Sequence, residues 1–252
     1  MKLMAHFIAG YPDYESSLQI GCSLIKNGAN ILEVQFPFSD PSADGPLICA
    51  ANALALDKGF NVAKGFQLIF EIAKKFPQTP IYIMSYANIV FSYGISSFVL
   101  LAKKNGVKGL IIPDLPFDCD EGLLKEGKKA KIEIVPVIAP NTSHQRLEFL
   151  LKKSKGMVYA ALRGGTTGSK TLIDKKTASF LQTLSSFLKE EKREIAAGFG
   201  IQTKEQVKAL SPYCSIAVVG SAFVQKIKEN WPLGLPQVLK EIESLIKDLK
   251  NL

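Results

Sequence analysis

Eight short β-rich runs alternate with amphipathic segments along the whole chain, and this alternation limits the fold more than any other feature. The runs lie at 3–8, 29–35, 81–86, 109–113, 133–138, 157–162, 194–197 and 215–219. The helical patterns lie at 14–27, 62–75, 96–105, 120–129, 143–153, 175–192, 204–210 and 236–249. Strands alternating with helices of this length predict parallel βαβ units. Eight such pairs in 252 residues match an α/β fold of the (β/α)₈ TIM-barrel type, a single domain over residues 1–252. A doubly wound open sheet is the alternative, but no GxGxxG follows the first strand. An extra short helix is expected at 50–59, after the second strand.

An apolar content of 47% suits a large core. The net charge of +8 invites a nucleic-acid reading. The lysines, however, cluster on helical segments, as at Lys125, Lys128, Lys129 and Lys131, and no nucleic-acid motif accompanies them. They read as solvated outer faces with a general attraction for anionic metabolites. Cys22, Cys49, Cys119 and Cys214 have no paired spacing, which argues against a zinc site or a disulfide framework. With no secretory signal and no long apolar span, a cytoplasmic protein with no membrane or nucleic-acid partner is expected.

Glycine and polar residues gather just after the candidate strands, at the end of a barrel where active sites sit. The stretch from Glu33 to Pro46 is the most telling of these. Glu33 lies inside an apolar run, and a buried carboxylate costs several kcal/mol (about 2–7 for an unpaired polar group) unless paired or protonated. The loop behind it carries Asp40 and Asp44. Glu33 and Asp44 therefore read as an acid/base pair in a cleft, against the plainer reading of a hydrogen-bonded core acid. Three glycine sites close the pattern: Gly164–Gly168, Gly198-Phe199-Gly200, and Gly220-Ser221 before a short helix at 222–228. Glycine lets backbone N–H groups approach an anion, and a helix N-terminus adds a favourable dipole. A phosphate pocket is expected there, against the alternative of plain tight turns. A bulky residue at Gly220 is expected to weaken phosphate binding and spare the fold. Of the two histidines, His144 at a helix start reads as a surface or capping residue.

These residues resemble the α subunit of tryptophan synthase. Glu33 to Pro46 is similar to that family's loop-2 signature, Met84-Ser85-Tyr86-Ala87-Asn88 to its third-strand motif and Pro113-Asp114-Leu115-Pro116 to its fourth. Arg163–Gly168, Gly198–Ile201 and Gly220–Ala222 resemble its loop-6 and phosphate motifs. The resemblance covers essentially the whole chain. It implies a TIM barrel that cleaves indole-3-glycerol phosphate to indole and glyceraldehyde 3-phosphate. It implies no cofactor or metal of its own, and a β-subunit partner that uses pyridoxal phosphate (PLP), in an α2β2 assembly. Glu33 matches the general acid/base and Asp44 the acid that accepts the indole N–H. Tyr86 and Tyr159 match pocket residues, though either suits barrel-core packing. Thr167 matches the loop-6 threonine. Gly168, Gly200, Gly220 and Ser221 match phosphate-binding positions. Asp40, Pro41 and Asn88 match the surface facing the β subunit.

Several positions depart from the family pattern. Gln35 stands where a glycine is usual, on the same strand face as Glu33, where it would crowd the site or hydrogen-bond Glu33. His6 replaces an apolar wall, and Ser42 a large apolar residue. Loop 6 reads Leu162-Arg163-Gly164-Gly165-Thr166-Thr167-Gly168, with an extra glycine that loosens the lid. The helix usual before the first strand has no counterpart, so a less covered barrel floor is expected. Two functional classes follow: an active lyase, or a barrel of weak or lost chemistry that binds and allosterically activates the β subunit.

Overall fold

The computed structural model describes residues 1–162, 173–189, 191, 193–198 and 200–250. Nine strands form one parallel sheet: β1 (Lys2–Ile8), β2 (Ile31–Gln35), β3 (Ile81–Met84), β4 (Val107–Ile111), β5 (Glu133–Val135), β6 (Val137–Ile138), β7 (Val158–Ala161), β8 (Ile195–Gly198) and β9 (Ile216–Val219). Their order is β5-β4-β3-β2-β1-β9-β8-β7-β6. The outermost two, β5 and β6, are parted in sequence only by Pro136. They are therefore one stave of an eight-stave barrel, split in two. Proline has no N–H to give a ladder. The first half pairs with β4 and the second with β7, and the Pro136 carbonyl accepts from Tyr159 N at 3.0 Å.

Eleven helices lie among the described residues: α1 (Tyr14–Lys26), α2 (Pro46–Asp57), α3 (Val62–Lys75), α4 (Ala87–Tyr93), α5 (Ile95–Lys104), α6 (Leu123–Ala130), α7 (His144–Lys153), α8 (Lys175–Leu188), α9 (Lys204–Leu210), α10 (Ser221–Asn230) and α11 (Leu235–Lys250). Five begin on side-chain caps that satisfy orphan N–H groups. Asp13 accepts from Ser16 N, Asn61 from Lys64 N, Ser143 from Arg146 N and Asp174 from Thr177 N. The expected extra helix at 50–59 starts earlier, at Pro46. A proline in the first turn gives up an N–H that has no partner anyway. The helix expected from 120 starts at Leu123 instead, because Glu121 (φ 49°) and Gly122 (φ 92°) are left-handed. The helix expected to run to 192 ends at Leu188. A helix for which no expectation was made stands at α4, between the strand expected at 81–86 and the helix expected at 96–105.

The period-two alternation of the strands divides the interior in two. One set of side chains, including Leu3, Ala5, Phe7, Leu32, Val34, Ile83 and Leu110, packs under the helices. The other, including Met4, Ile31, Tyr82, Met84, Ile111, Tyr159, Ala196 and Val218, fills the barrel. His6 is in register with Glu33, and both fall on the inward set. Inward glycines make room for large neighbours. A Cβ at Gly109 would lie 2.7 Å from the Tyr82 ring, and one at Gly198 would strike the Tyr159 hydroxyl. No helix among the described residues is long and apolar enough to cross a membrane.

Candidate active site

A cavity opens where the strands end, enclosing about 610 Å³ of empty space with its mouth included. Glu33, Asp44, Tyr159, Gly200, Gly220 and Ser221 line it together with His6. Apolar walls come from Ile48, Met84, Ile111 and Val218.

Glu33 sits on β2 at 2% exposure. Its Oε1 lies 3.5 Å from His6 Nδ1 on the adjacent strand, while Oε2 is buried with no hydrogen-bond partner. Burial pushes the His6 imidazole toward neutrality, but the Glu33 charge and hydrogen bond, the Asp44 charge and Gln35 outweigh it. His6 is held above its ordinary value.

Asp44 is held where the loop after β2 folds back over the strand ends. Gln35 Nε2 donates to its Oδ2 at 2.7 Å, and Tyr86 Oη donates to the same oxygen at 2.9 Å. Burial raises the Asp44 pKa above the usual carboxylate range, while Gln35, His6 and Tyr86 pull it down and Glu33 pushes it up. The expected contact of Gln35 with Glu33 is thus corrected: its amide nitrogen donates to the other acid. The reason is tertiary, since the loop brings Asp44 over the strand face that Gln35 shares.

Tyr86 is fully buried and stands behind Asp44 rather than on the cavity wall. Its hydroxyl also accepts from Ala43 N at 3.2 Å, and its ring stacks on Phe38 at 5.3 Å. Burial, Glu33 and Asp44 raise the Tyr159 hydroxyl well above its usual range. Gly200 adopts φ 84°, a left-handed conformation suited to glycine. Gly220 precedes α10, and a Cβ there would lie 2.9 Å from the His6 ring. A bulky residue at Gly220 would therefore displace His6, so it is not the clean phosphate probe that the sequence suggested.

Thr167 and Gly168, with the rest of 163–172, lie outside the described residues. Asp40 and Asn88 are exposed, Pro41 is buried and Ser42 is exposed. His144 opens α7 and lies against the Phe187 ring at 5.7 Å. Sequence reasoning missed Asn52. It is fully buried on α2, accepts from Phe38 N at 3.2 Å and lies 3.4 Å from Gln35 Nε2. The only trace of it in the sequence is one amide in an apolar helix.

A family model described as tryptophan synthase alpha chain matches residues 1–252. The chain belongs to the tryptophan synthase alpha chain family. Among similar relatives, the tryptophan synthase alpha chain of Helicobacter hepaticus is 45% identical over 233 residues, covering 90% of this chain and 86% of that one. The alpha chain of Geobacillus kaustophilus is 40% identical over 230 residues, covering 89% and 82%. A mutant tryptophan synthase alpha-subunit from Pyrococcus furiosus superposes with a TM-score of 0.88 at 28% identity, covering all of this chain and 98% of that one. Mycobacterium tuberculosis tryptophan synthase gives 0.86 at 27% identity, covering 99% and 92%. The family's barrel is the one described above; His6 lines its cavity, and Gln35 is buried behind the wall on Asp44.

Proposed function

We propose that this barrel, a single domain over residues 1–252, cleaves indole-3-glycerol phosphate to indole and glyceraldehyde 3-phosphate. The observation that carries the reading is two buried carboxylates, Glu33 and Asp44, in different surroundings on one cavity. One acid has an oxygen with no partner, and the other is fixed by two donors. Paired acids in unlike environments are the usual basis of acid/base division of labour.

The chemistry is a retro-aldol cleavage. The indole ring is protonated at C3, and Asp44 accepts the ring N–H as positive charge develops. Glu33 then takes the proton from the glycerol hydroxyl next to the ring. The oxygen's electron pair forms the aldehyde C=O, the C–C bond breaks, and its pair returns to the ring to give indole. Glu33 is suited to both proton steps. Tyr159 forms part of the pocket wall, and Tyr86 acts through Asp44. The amides about Gly200, Gly220 and Ser221, with Gly168 and Thr167 of loop 6, are the proposed phosphate contacts. We assign the β-subunit surface to Asp40, Pro41 and Asn88, in a cytoplasmic α2β2 assembly whose β subunit carries PLP.

A second reading, an activator of the β subunit with weakened chemistry, draws support from Gln35, which already occupies the Asp44 carboxylate. Steady-state indole release from indole-3-glycerol phosphate, with and without the cognate β subunit, separates the two. Turnover that rises with the β subunit is expected. No turnover, with faster indole-to-tryptophan conversion by the β subunit, would favour the activator. Glu33→Gln is expected to abolish cleavage and keep β-subunit activation.

A further inference from the structure

The one charged partner of Glu33 among the described residues is His6, and the fold makes a specific place for it. His6 is 8% exposed on β1, in register with Glu33 on β2, with Nδ1 3.5 Å from Oε1. Its ring lies against Gly220, where a Cβ would come within 2.9 Å of Cδ2 and 3.1 Å of Cγ. The imidazole therefore fills the space between the acid on β2 and the start of α10. Among the described lining residues there is no lysine or arginine. His6 is thus the only group among them that can bring positive charge to the cavity.

We propose that His6 and Glu33 work as one unit, with the imidazolium Nδ1–H holding Oε1 so that Oε2 is left for the substrate. His6 is then a positioning residue for the lyase reaction, an inference that rests on the reading above. Oε2 takes the hydroxyl proton while the proton on Nδ1 stays in place, so the imidazolium is charged throughout. It offsets the carboxylate before the transfer and lies toward the phosphate end of the cavity after it. Deprotonation of the imidazolium, with the proton leaving from Nε2 and Nδ1–H kept on Oε1, would remove the positive charge that offsets the carboxylate beside an anionic substrate.

The groups facing His6 fix the direction of the pH effect. The charges of Glu33 on β2 and of Asp44 in the following loop favour the imidazolium. Tyr159 on β7 is held neutral by burial and by the same two acids. Val218, Gly220 and Ser221, from β9 and the start of α10, offer nothing that titrates. Protonation of His6 therefore persists above pH 6.5, the ordinary histidine value.

The first test uses the kcat/KM–pH profile of the full chain with its β subunit. The native profile should fall on the alkaline side, above pH 6.5, by up to about tenfold per pH unit. His6→Gln, which can still donate one hydrogen bond, and His6→Phe should both lose that limb, with His6→Gln keeping more of the plateau. The same limb in both variants would overturn the inference.

The second test needs no turnover. The chain has two histidines, so NMR titration can follow His6 against His144 as an internal reference. Glu33→Gln should move the His6 titration to lower pH and leave His144 unchanged. An unmoved His6 would overturn the pairing. If the native protein does not cleave the substrate, the lyase reading fails by itself, and the titration still decides the pair.

Discussion

Burial works against the charge on Asp44, and three neighbours work for it. Gln35→Leu removes the strongest of those neighbours and keeps the volume. Asp44 should then hold its proton to higher pH, and the acid limb of kcat/KM should move upward. A charged hydrogen bond is worth about 1.5–3 kcal/mol, so the move should be easy to measure. An unmoved limb would reduce Gln35 to packing. Asp44→Asn tests the other side of the same arrangement. The raised pKa means that the folded chain holds this proton more tightly than the unfolded chain does. The group therefore favours folding at low pH, and that contribution is lost as pH climbs through the raised value. An asparagine oxygen can accept from both Gln35 and Tyr86 without a charge. Asp44→Asn should abolish cleavage and, at neutral pH, stabilise the fold by about 0.5–2 kcal/mol. Thermal melts beside activity assays would check both, and a lower melting temperature would contradict the argument. The burial of Glu33 was legible in sequence because a carboxylate in an apolar run stands out, and Asp44 drew notice only from the loop directly behind it. Their partners were not, because Gln35 meets Asp44 only after the loop has folded back.

Among the elements, α9 ties stability to the site through its cap. Thr203 accepts from Gln206 N, and Gln206 Oε1 accepts from Thr203 N at 3.0 Å and Gln202 N at 2.8 Å. The Gln206 amide also donates to the Gly200 carbonyl at 2.9 Å. Thr203→Ala should cost about 1 kcal/mol of stability, the usual value of a cap, and leave KM alone. Gln206→Ala should cost more and also raise KM, because it frees the loop that carries Gly200. Calorimetry with substrate saturation curves would show the split, and equal KM values for both variants would disprove it. Most strands and helices were legible from periodicity, and 62–75 and 204–210 match to the residue. The helix α4 was not. Its N-cap, Tyr86, makes no side-chain cap bond, and its first N–H is met from afar, with Asp114 Oδ1 accepting from Ala87 N at 2.9 Å. A cap lent by the loop after another strand leaves no local signal.

Across the whole molecule, the two ends of the barrel have separate duties. The strand C-terminal ends carry the cavity. The opposite end is fastened by Glu133, which accepts from Tyr82 Oη at 2.9 Å and Met157 N at 3.3 Å and pairs with Lys108 Nζ at 2.9 Å. Glu133→Ala would leave the buried Tyr82 hydroxyl without that acceptor. It should cost roughly 2 kcal/mol, a drop of several degrees in melting temperature, with kcat/KM unchanged. A change in kcat/KM at full folding would show that the ends are coupled. The fold class was legible because eight alternations leave few architectures, whereas the split at Pro136 was not, since one proline in an apolar run also suits an unbroken edge strand.

That split has a consequence for assembly. Residues 1–135 bring both acids and His6, while residues 137–252 bring Tyr159 and the glycines at Gly200 and Gly220. Neither part holds a complete pocket, and the two are joined side to side along β1–β9 and through the backbone at Pro136. Catalytic competence should therefore be the last property to return on refolding. Fragments cut at Pro136 should be silent alone and should regain turnover only on recombination, which makes activity a stringent reporter of barrel closure.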